Sequence, residues 1–512
     1  MTRVVKRGHS WDEAFASARA LAPEAFTETG ALNHWGGAWR DEGRHATAVS
    51  PLDGRPIPGP AALTLDQGRA AVRSALDGHR NWRRLPLAER RARVRAAVEA
   101  MAEHRDLLTL LLVWEIGKTW PQAAADVDRC LSGVRWYVEE IEGMLGSRAS
   151  LEGPVSNIAS WNYPMSVLMH GMLVQALAGN GVIAKVPSDG GLCCLTLATA
   201  LAVREGLPFT LVSGSGPELA PALVAQEGIG CVAFVGGREA GRRVRRLLRP
   251  GTRHILELEG LNCWGVWEFS DWETLSAQIR KGYEYAKQRC TAYPRFVVQR
   301  GLFDRFLAAH RPVLESLRFG HPLAVEHPGD DLPELDFGPL INAAKAAELR
   351  GKVDDAIGAG AVPLYRGGLS QGRFLPGQDV SAYLPPSSLL HPPPSSPLHH
   401  AEPFGPVDSV VLVDSEEELV HAMNVSNGSL VAAVSCDDER TAARVAGHVR
   451  AFKVGINAPR SRGDRHEVFG GEGASWLGAF VGGELLVRAV TQGADDGTMP
   501  GNFPAPRHRL PV

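Results

Sequence analysis

Three short segments carry side chains able to act on a carbonyl group, and a fourth is able to receive a phosphate. Cys290 sits in KQRCTAYPR, with Lys287 and Arg289 before it and Arg295 after it. A thiol is nucleophilic as its thiolate, and neighbouring cations favour that form, so this cysteine is either a reactive nucleophile or a core residue. Glu257 ends the apolar run of HILELEGLN. A carboxylate entering an apolar region is pushed towards a neutral pKa, which suits a general base; the same residue type also caps helices and forms salt bridges. Asn162 in SWNYP precedes a proline that starts a helix, so its amide either caps that helix or donates to a developing oxyanion. FVGGREAG (234–241) joins a strand pattern to a helix pattern through Gly236 and Gly237, which lets a phosphate approach the helix N-terminus, although it is not G-x-G-x-x-G.

These side chains are far apart in sequence, and what brings them together is an alternation of elements. From about residue 155 the chain reads VSNIAS, helix, GVIAKV, helix, FTLVSG, helix, CVAFVG, helix, HILELEG. Short apolar strands alternating with helices predict a parallel sheet covered on both faces, whose ligands bind at the carboxyl ends of the strands. Asn162, Lys185, Gly236 and Glu257 each lie at such an end. Before this region, 35–57 reads as a β-hairpin, and 86–112 and 121–144 as helices. After it, 265–285 and 300–318 read as helices around the Cys290 segment, with a strand at 294–299, which makes a second α/β unit. The proline-rich 385–397 reads as an exposed loop, GGELLVRAVTQG as a strand, and the last residues as a loose tail.

With 512 residues, 44% of them hydrophobic, the chain is long enough for two or three domains, and its net charge of -3 gives no field that draws it to nucleic acid or a membrane surface. The basic run 242–249 has apolar residues at helical spacing and reads as a solvated helix face. Seven scattered cysteines, without metal-ligand spacing, fit a reduced cytoplasmic setting, and no metal site is expected. Cys130, Cys193, Cys194 and Cys231 lie in apolar patterns and read as core. No apolar signal core or membrane-spanning run is present in the sequence.

Taken in order, the segments resemble the aldehyde dehydrogenase superfamily, from about residue 35 to about residue 493. SWNYP resembles P-W-N-[FY]-P, IAKVPS resembles K-P-x-[ES], FVGGREAG resembles F-T-G-S-x-x-x-G, LELEG resembles L-E-L-G-G, QRCTA matches Q-x-C-x-A, and AEPFGPV resembles E-E-x-F-G-P-V. The resemblance implies that Cys290 is the nucleophile, Glu257 the general base and Asn162 the oxyanion-binding amide. It implies a cofactor site made by Ser160, Trp161, Lys185, Ser188, Gly236, Gly237, Glu402 and Phe404, filled by NADP or NAD. It further implies a Rossmann-like cofactor domain (1–137 and 155–259), an α/β catalytic domain (260–458), small β oligomerisation strands (138–154 and 481–492) and a tail (493–512). The expected partners are a small aldehyde and further copies of the chain, as a homodimer or homotetramer.

Three departures from the family pattern carry expectations of their own. Ser188 replaces a frequent glutamate, removing a charge that would repel a 2′-phosphate and favouring NADP, with NAD accepted; Asp189 beside it acts against this. Glu259 replaces a glycine next to Glu257. Lys287 replaces a glycine three residues before the nucleophile. Either of these two changes would narrow the substrate pocket or select an acidic aldehyde, since Lys287 and Arg289 are able to pair with a carboxylate. Alternative readings are a coenzyme A-acylating enzyme, an inactive relative acting as a scaffold, and a cofactor-free cysteine hydrolase; Glu257 argues for water as the final nucleophile.

Overall fold

The computed structural model describes residues 3–44, 47–461 and 464–503. Among these residues two large sheets dominate. In the first, the five strands Arg253–Glu257, Cys231–Val235, Val155–Ile158, Val182–Lys185 and Phe209–Val212 lie side by side and run parallel. Helices cover both of their faces, which is why they read as unbroken apolar runs rather than alternating ones. All five strands predicted from the alternation are present. The chain builds outward from Val155–Ile158 on one side, then crosses back to add Cys231–Val235 and Arg253–Glu257 on the other. The order therefore reverses between Val155–Ile158 and Cys231–Val235, and the crevice beyond the carboxyl ends at such a reversal is where α/β sheets bind ligands.

The edges of this sheet come from distant parts of the chain. The hairpin Asn33–Trp35 and Ala38–Arg40, turning on Gly36 and Gly37 (φ 64° and 74°), pairs with Phe209–Val212. The predicted single hairpin over 35–57 is thus two, the second being Thr47–Val49 with Pro56–Pro58. At the other edge Trp476–Ala479 pairs with Arg253–Glu257, and Gly501–Asn502 adds to it, so part of the expected loose tail is sheet; residues 504–512 lie outside the described residues.

The second sheet has the order Val362–Arg366, Ser387–Leu390, Val407–Val413, Arg295–Gln299, Cys263–Val266, Ser429–Ser435, Ala451–Ile456, with only its first strand antiparallel. It corrects two expectations. The helix over 265–285 begins only at Trp272, because Cys263–Val266 is a buried strand. Ser387–Leu390 is likewise an internal strand and not an exposed loop: the prolines that flank it leave four donors free to pair with both neighbours. The helix over 86–112 divides at His104 into Leu87–Glu103 and Arg105–Ile116, the latter buried on every side from Leu108 onward. In the C-terminal segment, Glu484–Ala489 is helix and only Thr491–Gln492 is strand; its partner Ala149–Ser150 is all the strand that 138–154 contains, since the helix Trp120–Leu145 continues to Leu145. The basic run falls on Arg238–Leu247, with Val244 inward and Arg242, Arg243, Arg245 and Arg246 exposed. Among the described residues no helix is long and apolar enough to cross a membrane.

One buried carboxyl fixes the helix that follows Lys185. Glu115 accepts hydrogen bonds from the backbone N–H groups of Cys193 (2.7 Å) and Cys194 (3.1 Å) at the start of Leu192–Arg204. Burial pushes its carboxyl up to about 7. A carboxyl held above its unfolded value stabilises the fold fully below that unfolded value, and the contribution is lost as pH rises through the folded one. Glu115→Gln is therefore expected to gain on the wild type between pH 5 and 8, by on the order of 3 kcal/mol. Urea unfolding of both proteins across that range checks it; a constant difference would refute the assignment.

Candidate active site

Asn162 lies four residues beyond Val155–Ile158 and is 5% exposed. Its Nδ2 donates to the carbonyl of Gln288 at 3.2 Å, two residues before Cys290. The π-helical turn that follows it, Pro164–Met169, has no side-chain cap. Of the two roles left open by the sequence, capping is removed, and the amide faces the cysteine segment.

That segment is bent and tightly held. Tyr285, Ala286 and Lys287 are successive non-glycine residues in the left-handed region (φ 60°, 51° and 57°), a conformation costing an L-residue roughly 1–2 kcal/mol each. The Gln288 amide bridges Tyr285 and Pro339 carbonyls and the Ile341 N–H. Asn262, fully buried, donates to the carbonyls of Cys290 (2.8 Å) and Ala292 (2.7 Å) and accepts from the Val431 N–H (3.2 Å). Asn262 escaped the sequence reading, although an asparagine inside the apolar run LNCWGVW is a signal: a buried amide must find partners. Of the seven cysteines, Cys290 alone is not buried. Burial raises the thiols of Cys130, Cys193, Cys194 and Cys436, and pushes those of Cys231 and Cys263 up to about 12.

Glu257 ends its strand at 2% exposure, its carbonyl accepting from Gly236 N–H at 3.1 Å. Only residues 258–261 separate it along the chain from Asn262, whose amide holds the cysteine segment. Glu259 Oε1 accepts from the backbone N–H of Glu402 at 3.3 Å. Glu259, expected from the sequence to narrow the pocket or select an acidic substrate, thus anchors the 402 loop. Burial, followed by the charges of Glu259 and Glu257 and against that of Lys345, raises the Glu402 carboxyl well above the usual carboxylate range. Its Oε1 is buried and makes no hydrogen bond within the protein.

Around the crevice the remaining candidates fall as follows. Lys185 ends its strand, buried, with Nζ donating to the Val186 carbonyl at 2.8 Å; burial brings it down to about 8, against the pull of Asp189. Ser188 and Asp189 are exposed at the rim. Gly236 and Gly237 lead into Arg238–Leu247, whose N-terminus has no side-chain cap, and a Cβ at Gly237 would meet open space. Ser160 and Trp161 are half-buried, and Trp161 makes an edge-to-face contact at 5.8 Å with Phe404, itself left-handed (φ 53°). An orphaned carboxyl oxygen, an uncapped helix N-terminus and a lysine with spare donors fit the hydroxyls and phosphates of a dinucleotide.

Of the two cations expected to select an acidic substrate, Lys287 is not available to one: it is 2% exposed and paired with Asp408. Arg289 is half-buried, donates to the Gly282 carbonyl at 2.9 Å and lies 4.0 Å from Glu284.

Known proteins resemble this chain in sequence and in fold. The model of the "Aldehyde dehydrogenase family" matches residues 39–492. An alpha-ketoglutarate semialdehyde dehydrogenase of Haloferax volcanii is 28% identical over 78% of this chain and 84% of its own length. An N-succinylglutamate 5-semialdehyde dehydrogenase of Caulobacter vibrioides is 31% identical over 79% of this chain and 86% of its own. Among solved structures, the NADP-dependent glyceraldehyde-3-phosphate dehydrogenase of Bacillus halodurans complexed with NADP superposes with a TM-score of 0.81 at 25% identity, covering 91% of this chain and 98% of the other.

Proposed function

The chain belongs to the aldehyde dehydrogenase family, and from that premise we propose that Cys290, Asn162 and Glu257 carry its oxidation of an aldehyde to a carboxylic acid. The single observation that supports this assignment best is the Asn162 amide lying against the cysteine segment, on the carbonyl of Gln288. The Cys290 thiolate attacks the aldehyde carbon, forming a C–S bond and leaving an oxyanion to the Asn162 amide and the Cys290 N–H. Ser160, Trp161, Lys185, Ser188, Gly236, Gly237, Glu402 and Phe404 hold the nicotinamide cofactor. When bound, that cofactor supplies the acceptor for the aldehyde hydrogen and its electron pair. What stays on Cys290 is a thioester. Glu257 takes a proton from water, the resulting hydroxide attacks the thioester carbon, and the C–S bond breaks to release the acid and restore the thiolate. The coenzyme A-acylating and scaffold readings find no support in the comparisons.

The cofactor is read as NADP with NAD accepted, on Ser188 at the exposed rim beside Lys185 and on the NADP bound by the Bacillus halodurans relative. A panel of neutral and acidic aldehydes with either cofactor, followed by absorbance of the reduced nicotinamide, tests both activity and preference. NADP is expected to give a kcat/KM roughly tenfold above NAD, the worth of one retained charge-assisted contact. Ser188→Glu should reverse that order, because its carboxylate repels a 2′-phosphate; an unchanged ratio would remove Ser188 from the reading. The cofactor unit 1–137 with 155–259, the catalytic unit 260–458, a homodimer or homotetramer built through 138–154 and 481–492, and a cytoplasmic setting complete the proposal, with the assembly to be read by light scattering.

A further inference from the structure

The left-handed turn before Cys290 has a tether that neither the family comparison nor the catalytic reading explains. Lys287 Nζ pairs with Asp408 and donates to the Tyr293 carbonyl at 3.0 Å. Asp408, fully buried on Val407–Val413, also accepts from the Tyr283 hydroxyl at 2.6 Å and from His310 Nε2 at 3.1 Å. Tyr283 stands two residues before the turn and Tyr293 three residues after Cys290, so one carboxylate and one ammonium bind both ends of the segment. The ammonium also lies 4.1 Å from the Tyr283 ring centroid and 5.4 Å from that of Phe296. Burial lowers the Lys287 pKa while Asp408 opposes the shift; burial also works against the Asp408 charge, but Lys287 and His310 hold that carboxyl below its usual range. Removing either partner leaves a buried charge uncompensated.

We infer that Lys287 and Asp408 are a positioning pair: together they hold Tyr285–Lys287 in its left-handed turn, and thereby set the Gln288 carbonyl, the Asn162 amide and Cys290 in register for attack on the aldehyde. The inference rests on Cys290 being the nucleophile. A glycine adopts φ near 57° without strain, so it needs no tether; lysine at this position does.

The test uses the full chain and four readouts: kcat, alkylation of Cys290 by iodoacetamide, NADP binding by fluorescence titration, and circular dichroism for folding. Lys287→Met and Asp408→Asn are expected to lower both kcat and the alkylation rate by about 100-fold, the effect of a small misplacement, with NADP affinity within about twofold of wild type. Two double variants separate positioning from simple loss of stability. Lys287→Gly/Asp408→Asn should recover most of kcat, whereas Lys287→Met/Asp408→Asn should not, although both remove the same two charges. A folded Lys287→Met with wild-type kcat and alkylation rate would overturn the pair's role, as would equal kcat in the two double variants. Cys290→Ala is measured alongside: full activity there defeats the nucleophile assignment itself, whatever the Lys287 variants do.

Discussion

Cys290→Ala is expected to lower the rate of nicotinamide reduction by on the order of 10⁵-fold, since removing a covalent nucleophile forfeits the whole acylation route. The magnitude follows from the absence of a substitute within the fold. The other six cysteines are buried, with thiols raised by burial, and none can take over the attack. Asn162 and the cofactor-binding residues are untouched by the change, so NADP should bind the variant as it binds the wild type. Stopped-flow absorbance of the reduced cofactor together with a fluorescence titration measures both quantities. Activity within tenfold of wild type would show that the thiol is not the nucleophile and would return Cys290 to the role of a half-buried structural residue.

Glu257→Gln separates the two halves of the cycle. With the base removed, the thioester still forms but water is no longer activated, so steady-state turnover should fall by about 10²–10⁴-fold. The first turnover should survive as a burst of one reduced cofactor per Cys290. The replacement keeps the size of the side chain, so the strand Arg253–Glu257 and its pairing with Trp476–Ala479 are retained. Loss of the burst along with turnover would mean that Glu257 acts on the thiol rather than on water. Normal turnover would assign the carboxylate to structure alone.

Much of the candidate site was legible because strand ends are local facts. The apolar runs ending near Asn162, Lys185, Gly236 and Glu257 are each four or five residues long, and a parallel sheet gathers their ends whatever lies between them. Asn262 and Asp408 were not legible in the same way. Asp408 lies inside a strand and Asn262 just before one, and the partner of each is chosen by which strands become neighbours. The same limit explains Ser387–Leu390, which four residues between prolines do not announce, and Glu484–Ala489, whose apolar content suits strand or helix until it packs.

By itself, then, the sequence determined the alternating strands and helices, the residues at their carboxyl ends and the family. Periodicity and turn chemistry act over a few residues, so the chain carries that information without its neighbours. Tertiary structure alone decided what the charged departures do. Lys287 meets Asp408 across 121 residues and Glu259 meets the Glu402 backbone across 143. A charge read along the chain stands free for a substrate; in the fold its first claim is from the nearest group that compensates it, a carboxylate for Lys287 and a backbone N–H for Glu259, because an uncompensated buried ion is far more costly than one in water.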